Sequence, residues 1–377
     1  MFDYTTLRLI WWLLLGLLLI AFAIMDGFDL GVVTLLPWVA KTDKEKRLVI
    51  NTVGPVWEGN QAWIILGAGA IFAAWPYVYA AAFSGFYLAM LLALCGFILR
   101  PVSFKYRSKL TNPTWRKTWD KLLMLSGFIP ALIFGVAIGN ILQGVPFHFD
   151  EMLRFYYTGT FWALLNPFAL LCGVLSVIML SMHGAVYLCS KTRDIVQIRA
   201  MKAAKICALL VIVLFAIGGL WSLRLESYVL IHPVSSFAPS NPLHKVMSLE
   251  YHHALDNYRH YSYFIIAPVS GFLGALLVLL CVRLQRYKWA FISSALSVFG
   301  VIATVGVRLF PVLLPSSSNP SQSLLIWDAS SSQATLQLML WVGVVFFPII
   351  IAYTTWVYRV MRGPVTAVWL DETKNSY

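Results

Sequence analysis

The sequence predicts an all-α integral membrane protein of about nine transmembrane helices, N-terminus outside and C-terminus inside. Three observations predict it. Only 12% of the 377 residues are charged while 60% are hydrophobic, and the mean hydropathy is +0.76; soluble domains are about a quarter charged. The hydrophobic residues fall in runs of roughly 20, the length a helix needs to cross a bilayer's hydrocarbon core. The connections between runs alternate between strongly basic and nearly free of Lys and Arg, and basic connections stay on the cytoplasmic side during insertion.

Taken in order, the first apolar run gives a span near 8–37. It is too long for a secretory h-region and lacks a small-residue cleavage site, so it is expected to remain as a helix. Further spans are expected near 54–75, 78–100, 121–145, 162–190, 203–222, 262–283, 288–308 and 336–358. Connection 38–53 carries Lys41, Lys44, Lys46 and Arg47, and connection 100–121 carries Arg100, Lys105, Arg107, Lys109, Arg116, Lys117 and Lys121. Lys191 to Lys205, Arg283 to Lys288 and the tail with Arg359, Arg362 and Lys374 continue the cytoplasmic set. Of the 28 basic residues, only Arg8, Arg154, Arg224, Lys245, Arg259 and Arg308 fall elsewhere. An even helix count would spoil that alternation. The net charge of +12 is therefore a topology signal and gives no reason to expect nucleic acid. Trp11 and Trp12 open the first span, and Trp75, Tyr77 and Tyr79 mark the turn between the second and third, where aromatic rings favour the headgroup interface. The external connections near 223–261 and 309–335 are the longest, and neither reads as a separate unit. The chain is expected to be one transmembrane domain over 1–377.

Charge inside a bilayer costs at least roughly 2.5 kcal/mol at a helix centre, so intramembrane carboxylates need an explanation. The first span carries Asp26 and Asp29, whose i,i+3 spacing puts both on one helix face. Gly27 and Gly31 have the spacing that permits close helix approach. The second span opens with Trp57, Glu58, Asn60, Gln61 and Trp63. Chain direction brings Asp29, Glu58 and Arg100 towards one level on the cytoplasmic side, where one polar pocket is expected. Two readings stand side by side here. In one, Arg100 neutralises the acids and Trp57 and Trp63 help to pack a purely structural cluster. In the other, the acids relay cytoplasmic protons, since a partly desolvated carboxyl exchanges protons near neutrality.

The five cysteines lie in or at the ends of expected helices, form no CxxC pair and read as apolar packing. Six of the seven histidines fall in expected external loops, and only His183 lies in a helix. The chain therefore offers no facing histidine pair for a six-coordinate haem, and no metal site is expected. There is no Walker motif, GxGxxG turn, HExxH or hydrolase elbow. Read from its residues alone, the chain is either a stand-alone proton-coupled transporter or one subunit of a larger membrane enzyme.

A series of segments then matches a known pattern in order. It runs through Leu9-Ile10-Trp11-Trp12, Asp26-Gly27-Phe28-Asp29-Leu30-Gly31 and Trp57-Glu58-Gly59-Asn60-Gln61-Ala62-Trp63. It continues with Phe72 to Pro76, Ala81 to Tyr87, Arg100-Pro101, Tyr106 to Lys109, Gly139-Asn140, Gln143 to Phe147 and Asn166-Pro167-Phe168. It ends with Phe310-Pro311, Leu314 to Ser317 and Trp327-Asp328-Ala329-Ser330-Ser331-Ser332. In these segments the chain closely resembles subunit II of the cytochrome bd ubiquinol oxidases over essentially its whole length.

The resemblance implies two four-helix bundles plus one peripheral helix, in the inner membrane of a bacterium. It implies a complex that oxidises quinol at the external face and reduces oxygen to water with cytoplasmic protons. Haem b and haem d would be bound mainly by the partner, subunit I, and a small single-helix accessory subunit and a structural ubiquinone in this chain belong to the same expectation. The acid at 58 matches the family's candidate for proton uptake, where many relatives carry Asp, and Lys105 stands where some carry Asp. Glu58, Asp29, Asp26, Asn60 and Gln61 are thus the expected proton pathway, with Arg100, Trp57 and Trp63 compensating charge and packing.

Overall fold

The computed structural model describes residues 2–232 and 234–365; Lys374, counted above among the basic residues of the tail, lies outside the described residues. The helices are α1 (Tyr4–Val39), α2 (Asp43–Val53), α3 (Trp57–Ala74), α4 (Pro76–Gly85), α5 (Tyr87–Tyr106), α6 (Pro113–Gln143), α7 (Pro167–Lys191), α8 (Asp194–Ser222), α9 (Asp256–His260), α10 (Ile266–Arg283), α11 (Tyr287–Leu309) and α12 (Gln333–Val360). Eight of them, among the described residues, are long and apolar enough to cross a membrane. The expected second span coincides with α3, whose 18 residues fall outside that set because Glu58, Asn60 and Gln61 make its first turns polar.

The expected single span near 78–100 is corrected. The chain bends at Phe86, dividing the segment into α4 and α5. The bend follows Ser84-Gly85, a pair that commonly kinks helices. A Cβ on Gly85 would come within 3.2 Å of the Tyr157 ring, so the loop that carries Tyr157 presses against this corner. Other helices outrun their apolar cores. α6 starts at Pro113, capped by Asn112, whose side chain accepts from the Thr114 amide at 2.8 Å. α2 was not expected at all. Its Thr42/Glu45 capping box satisfies its first amides.

α1 packs on α3 and α6, and α6 packs on α5; α7 packs on α8 and α11, and α10 packs on α8 and α11. α1 and α6 also lie against α7. α12 stands apart from the other helices, touching α1 and α3, with Leu336 and Gln337 as its buried residues. The α1–α7 crossing is the closest-packed feature of the centre. Added side-chain atoms on Gly31 or Gly184 would overlap the backbone of the other helix, at Leu180 for Gly31 and at Gly31 and Val32 for Gly184. Of the expected GxxxG pair, Gly31 makes this backbone contact while Gly27 faces the Leu180 side chain.

At the end that holds the N-terminus, three two-stranded antiparallel hairpins cover the bundle. They are β1 (Phe147–Phe149) with β2 (Phe155–Tyr157), β3 (Ser227–Leu230) with β4 (Met247–Glu250), and β5 (Val312–Leu314) with β6 (Leu324–Leu325). They lie in the connections expected to be external. The opposite end is stitched by ion pairs among residues of the basic connections. Arg107 bridges Asp120 at 2.6 Å and Asp43 at 2.8 Å, Lys46 also reaches Asp120, Arg116 reaches Asp43, and Arg199 reaches Glu45.

Candidate functional site

Asp26 and Asp29 are both fully buried, on the face of α1 that the i,i+3 spacing implies. Their partners differ. Arg100 of α5, itself fully buried, holds Asp26 with both guanidinium arms: Nη1 donates to Oδ1 at 2.5 Å and Nη2 to Oδ2 at 3.2 Å. Such a fork-on-carboxylate pair fixes orientation as well as charge. Phe97, one turn before Arg100, lies beneath the guanidinium at 5.3 Å from its ring centroid.

Asp29 forms no ion pair among the described residues. Its Oδ2 accepts from Asn60 Nδ2 at 2.7 Å, and Asn60 Oδ1 accepts from the Tyr358 hydroxyl of α12 at 2.8 Å. Asp29 Oδ1 is buried with no hydrogen-bond partner among the described residues, as are Trp57 Nε1, Arg100 Nε and Ser103 Oγ. Trp57 stacks towards Phe104 at 5.5 Å between ring centroids. The floor of the site is aromatic: Phe28 lies on Tyr187 at 4.2 Å, and His183 lies on Phe291 at 4.6 Å.

The expected meeting of Asp29, Glu58 and Arg100 in one pocket is corrected. Glu58 is exposed on the chain's surface and makes no hydrogen bond or ion pair among the described residues. The helix period explains it. Glu58 and Asn60 are two residues apart, about 200° around the helix axis. Because Asn60 turns inward to Asp29, Glu58 turns outward. Gln61 is half-buried beside it, and Trp63 is half-buried between α3 and the other helices. Glu58 tops a stripe of exposed α3 positions that continues through Ala62, Ile65, Gly69 and Phe72, one helix face at i+3 and i+4 steps.

Sequence reasoning missed Tyr358, since a tyrosine near a helix end reads as an interface anchor. It also missed how His183 is used. Its Nδ1 shares a hydrogen bond with Ser294 Oγ at 2.7 Å and its Nε2 one with the Ile24 carbonyl at 3.0 Å, tying α7 to α11 and α1. Both ring nitrogens are thus engaged by protein. Among the described residues, no group of three His, Cys, Asp or Glu is placed to hold a metal ion.

A second buried polar cluster lies at the hairpin end. Arg8 is fully buried and donates to Ser330 Oγ at 2.7 Å and to the carbonyls of Ser236 and Ala238. Lys245 and Asp328 form a buried ion pair at 2.7 Å. Burial pushes the Asp328 carboxyl up and the Lys245 ammonium down, and each charge partly offsets that effect on the other. The two long connections, 223–261 and 309–335, are locked to α1 by these charges.

Comparison with known proteins decides the family. The family model described as cytochrome bd terminal oxidase subunit II matches residues 7–361. The chain belongs to that family. It is 48% identical over 376 residues to the "Probable cytochrome oxidase subunit 2" of Haemophilus influenzae, and 46% identical over 377 residues to the cytochrome bd-I ubiquinol oxidase subunit 2 of Escherichia coli. Both matches cover 100% of each chain. A chain of the bd oxidase from Geobacillus thermodenitrificans has the same fold, with a TM-score of 0.61 at 16% identity, covering 94% of this chain and 98% of that one. As a cytochrome bd subunit II with eight apolar helices among the described residues, the chain is a multi-pass protein of the bacterial inner membrane and a component, with subunit I, of a haem-containing oxidoreductase complex. The stand-alone transporter reading is not favoured by this membership.

Proposed function

We propose that this chain is the haem-poor subunit of a quinol:oxygen oxidoreductase, stabilising a haem-bearing subunit I and helping to supply cytoplasmic protons for reduction of oxygen to water. In this reading ubiquinol is oxidised at the hairpin end, which faces outward, and proton-motive force results because the protons are taken from the other side. Haem b and haem d reside mainly in subunit I; the hydrogen-bonded ring of His183 supports that assignment, since it has no free nitrogen to offer an iron.

The observation that carries the proton role is the exposed Glu58 carboxylate at the head of the apolar α3 stripe. A carboxylate is favoured in a helix's first turn by the N-terminal dipole. The apolar residues that follow it are stable only against lipid or a partner helix, so Glu58 stands where the solvated end of the bundle meets a covered face. It can collect a proton from water at that boundary. Behind it, Asn60, Asp29 and Tyr358 form a hydrogen-bonded chain with one carboxylate oxygen unused, and Arg100 holds the second acid, Asp26, in a fixed orientation. Gln61 flanks the opening, and Trp57 and Trp63 pack the walls.

The test is oxygen consumption and proton uptake of the assembled complex carrying Glu58→Gln or Glu58→Ala. Loss of turnover by about a hundredfold, the lower range for a positioned proton-transfer group, is expected at full haem content, with Glu58→Asp retaining most activity. Wild-type rates in both variants at full haem content would remove the proton role. Loss of assembly instead of turnover would leave Glu58 a structural acid.

A further inference from the structure

A groove of about 640 Å³ runs between the outlying helix α12 and the bundle. Its walls are almost wholly apolar, formed by Phe28 of α1, Trp63 of α3, Phe291 of α11 and Ile351 of α12, and its rim carries Arg359 and Arg362. Both arginines are exposed, and neither forms an ion pair with a carboxylate among the described residues. α12 has only two buried residues, so its middle turns do not fill the space against α1 and α11 themselves.

An acyl chain suits such walls, and an anion suits such a rim. Lys and Arg clusters at the ends of membrane helices attract anionic headgroups, and basic pockets between such helices bind them. We propose that this groove is a specific site for an anionic phospholipid, its headgroup on Arg359 and Arg362 and its chain against Trp63 and Phe291. The occupant then fills the gap between α12 and the bundle. It also lies against Tyr358, which lines the same groove and donates to Asn60, so the lipid backs the hydrogen-bonded chain that ends on Asp29. The inference rests on the groove and its charges and does not depend on a proton role for Glu58.

The experiment uses the assembled complex, delipidated in dodecyl maltoside and titrated with dioleoyl phosphatidylglycerol, dioleoyl phosphatidylcholine or glycerol 3-phosphate, with adducts counted by native mass spectrometry. Phosphatidylglycerol is expected to bind in preference to phosphatidylcholine. Its affinity should fall roughly fivefold for each arginine removed in Arg359→Gln and Arg362→Gln. Glycerol 3-phosphate should not bind at the same concentrations, because it lacks the chain. If the doubly substituted protein does not assemble, the Arg359→Lys, Arg362→Lys pair keeps the charge and should keep the preference. Equal binding of the two lipids by the wild-type complex overturns the proposal, as does an unchanged preference without the arginines. Binding of glycerol 3-phosphate as tight as that of phosphatidylglycerol would make the rim a phosphate site instead. A quinone extracted from the wild-type complex and lost on Ala21→Trp, which fills the groove, would assign it to a different occupant.

Discussion

Asp26 and Arg100 are the residues whose removal should be felt most. Each is fully buried and each holds the other's charge. Removing one partner leaves an uncompensated buried charge, which costs about 3–5 kcal/mol, whereas replacing both with apolar residues of similar size is often close to neutral. Arg100→Leu and Asp26→Leu should therefore each deplete the complex from membranes, measured as haem per milligram of membrane protein. The double variant should recover most of it. Arg100→Lys should behave more like the leucine variant than like wild type, because an ammonium cannot span both carboxylate oxygens. Much of this was legible in the sequence, since Asp26, Asp29 and Arg100 are charges in apolar runs and such charges must find partners. The facing of Glu58 was not. Depth along the chain placed it beside Asp29, but only the rotation of α3, set by Asn60 binding Asp29, decides which of two neighbouring polar residues turns inward. Tyr358 was hidden for another reason: its partner lies almost 300 residues away in sequence, and no local pattern links them.

At the scale of elements, the long helices were legible because an apolar run of membrane length has one stable solution, a helix that satisfies its own backbone. Their ends were less so. α6 and α8 extend through Arg116, Lys117, Arg199 and Lys202, residues that read as loop because charge was taken as the end of the helix. The capping box of α2 and the Asn112-Pro113 start of α6 were present as local signals, and they mark those ends better than hydropathy does. The three hairpins left almost no trace. Their strands are two to four residues long, and what holds them is contact with the bundle end and not strand pattern. The α1–α7 crossing makes a sharp forecast. Gly31→Leu forces a side chain into the Leu180 carbonyl, and no rotamer of Leu180 relieves a backbone clash. Accumulation of the chain in membranes should fall severely, while Gly69→Leu on the exposed α3 stripe, where an added Cβ meets nothing within 4 Å, should leave the chain itself folded.

For the whole molecule, the packed helices and the outlying α12 enclose a buried polar layer around Asp26, Asp29, Asn60 and Arg100. Fold and class follow from composition, run length and charge alternation. The division of labour between two subunits does not, because a missing haem-ligand pair says only what this chain lacks. The central claim, that the chain works as a haem-poor partner of a haem-bearing subunit I, is tested most directly by the visible absorption spectrum of the gently solubilised, affinity-purified chain before and after it is separated from what co-purifies. The expected result is a haem b and haem d spectrum in the intact preparation that leaves entirely with the partner. A chain that purifies alone, without haem or a second helical subunit, yet supports proton-coupled transport in vesicles would contradict the account.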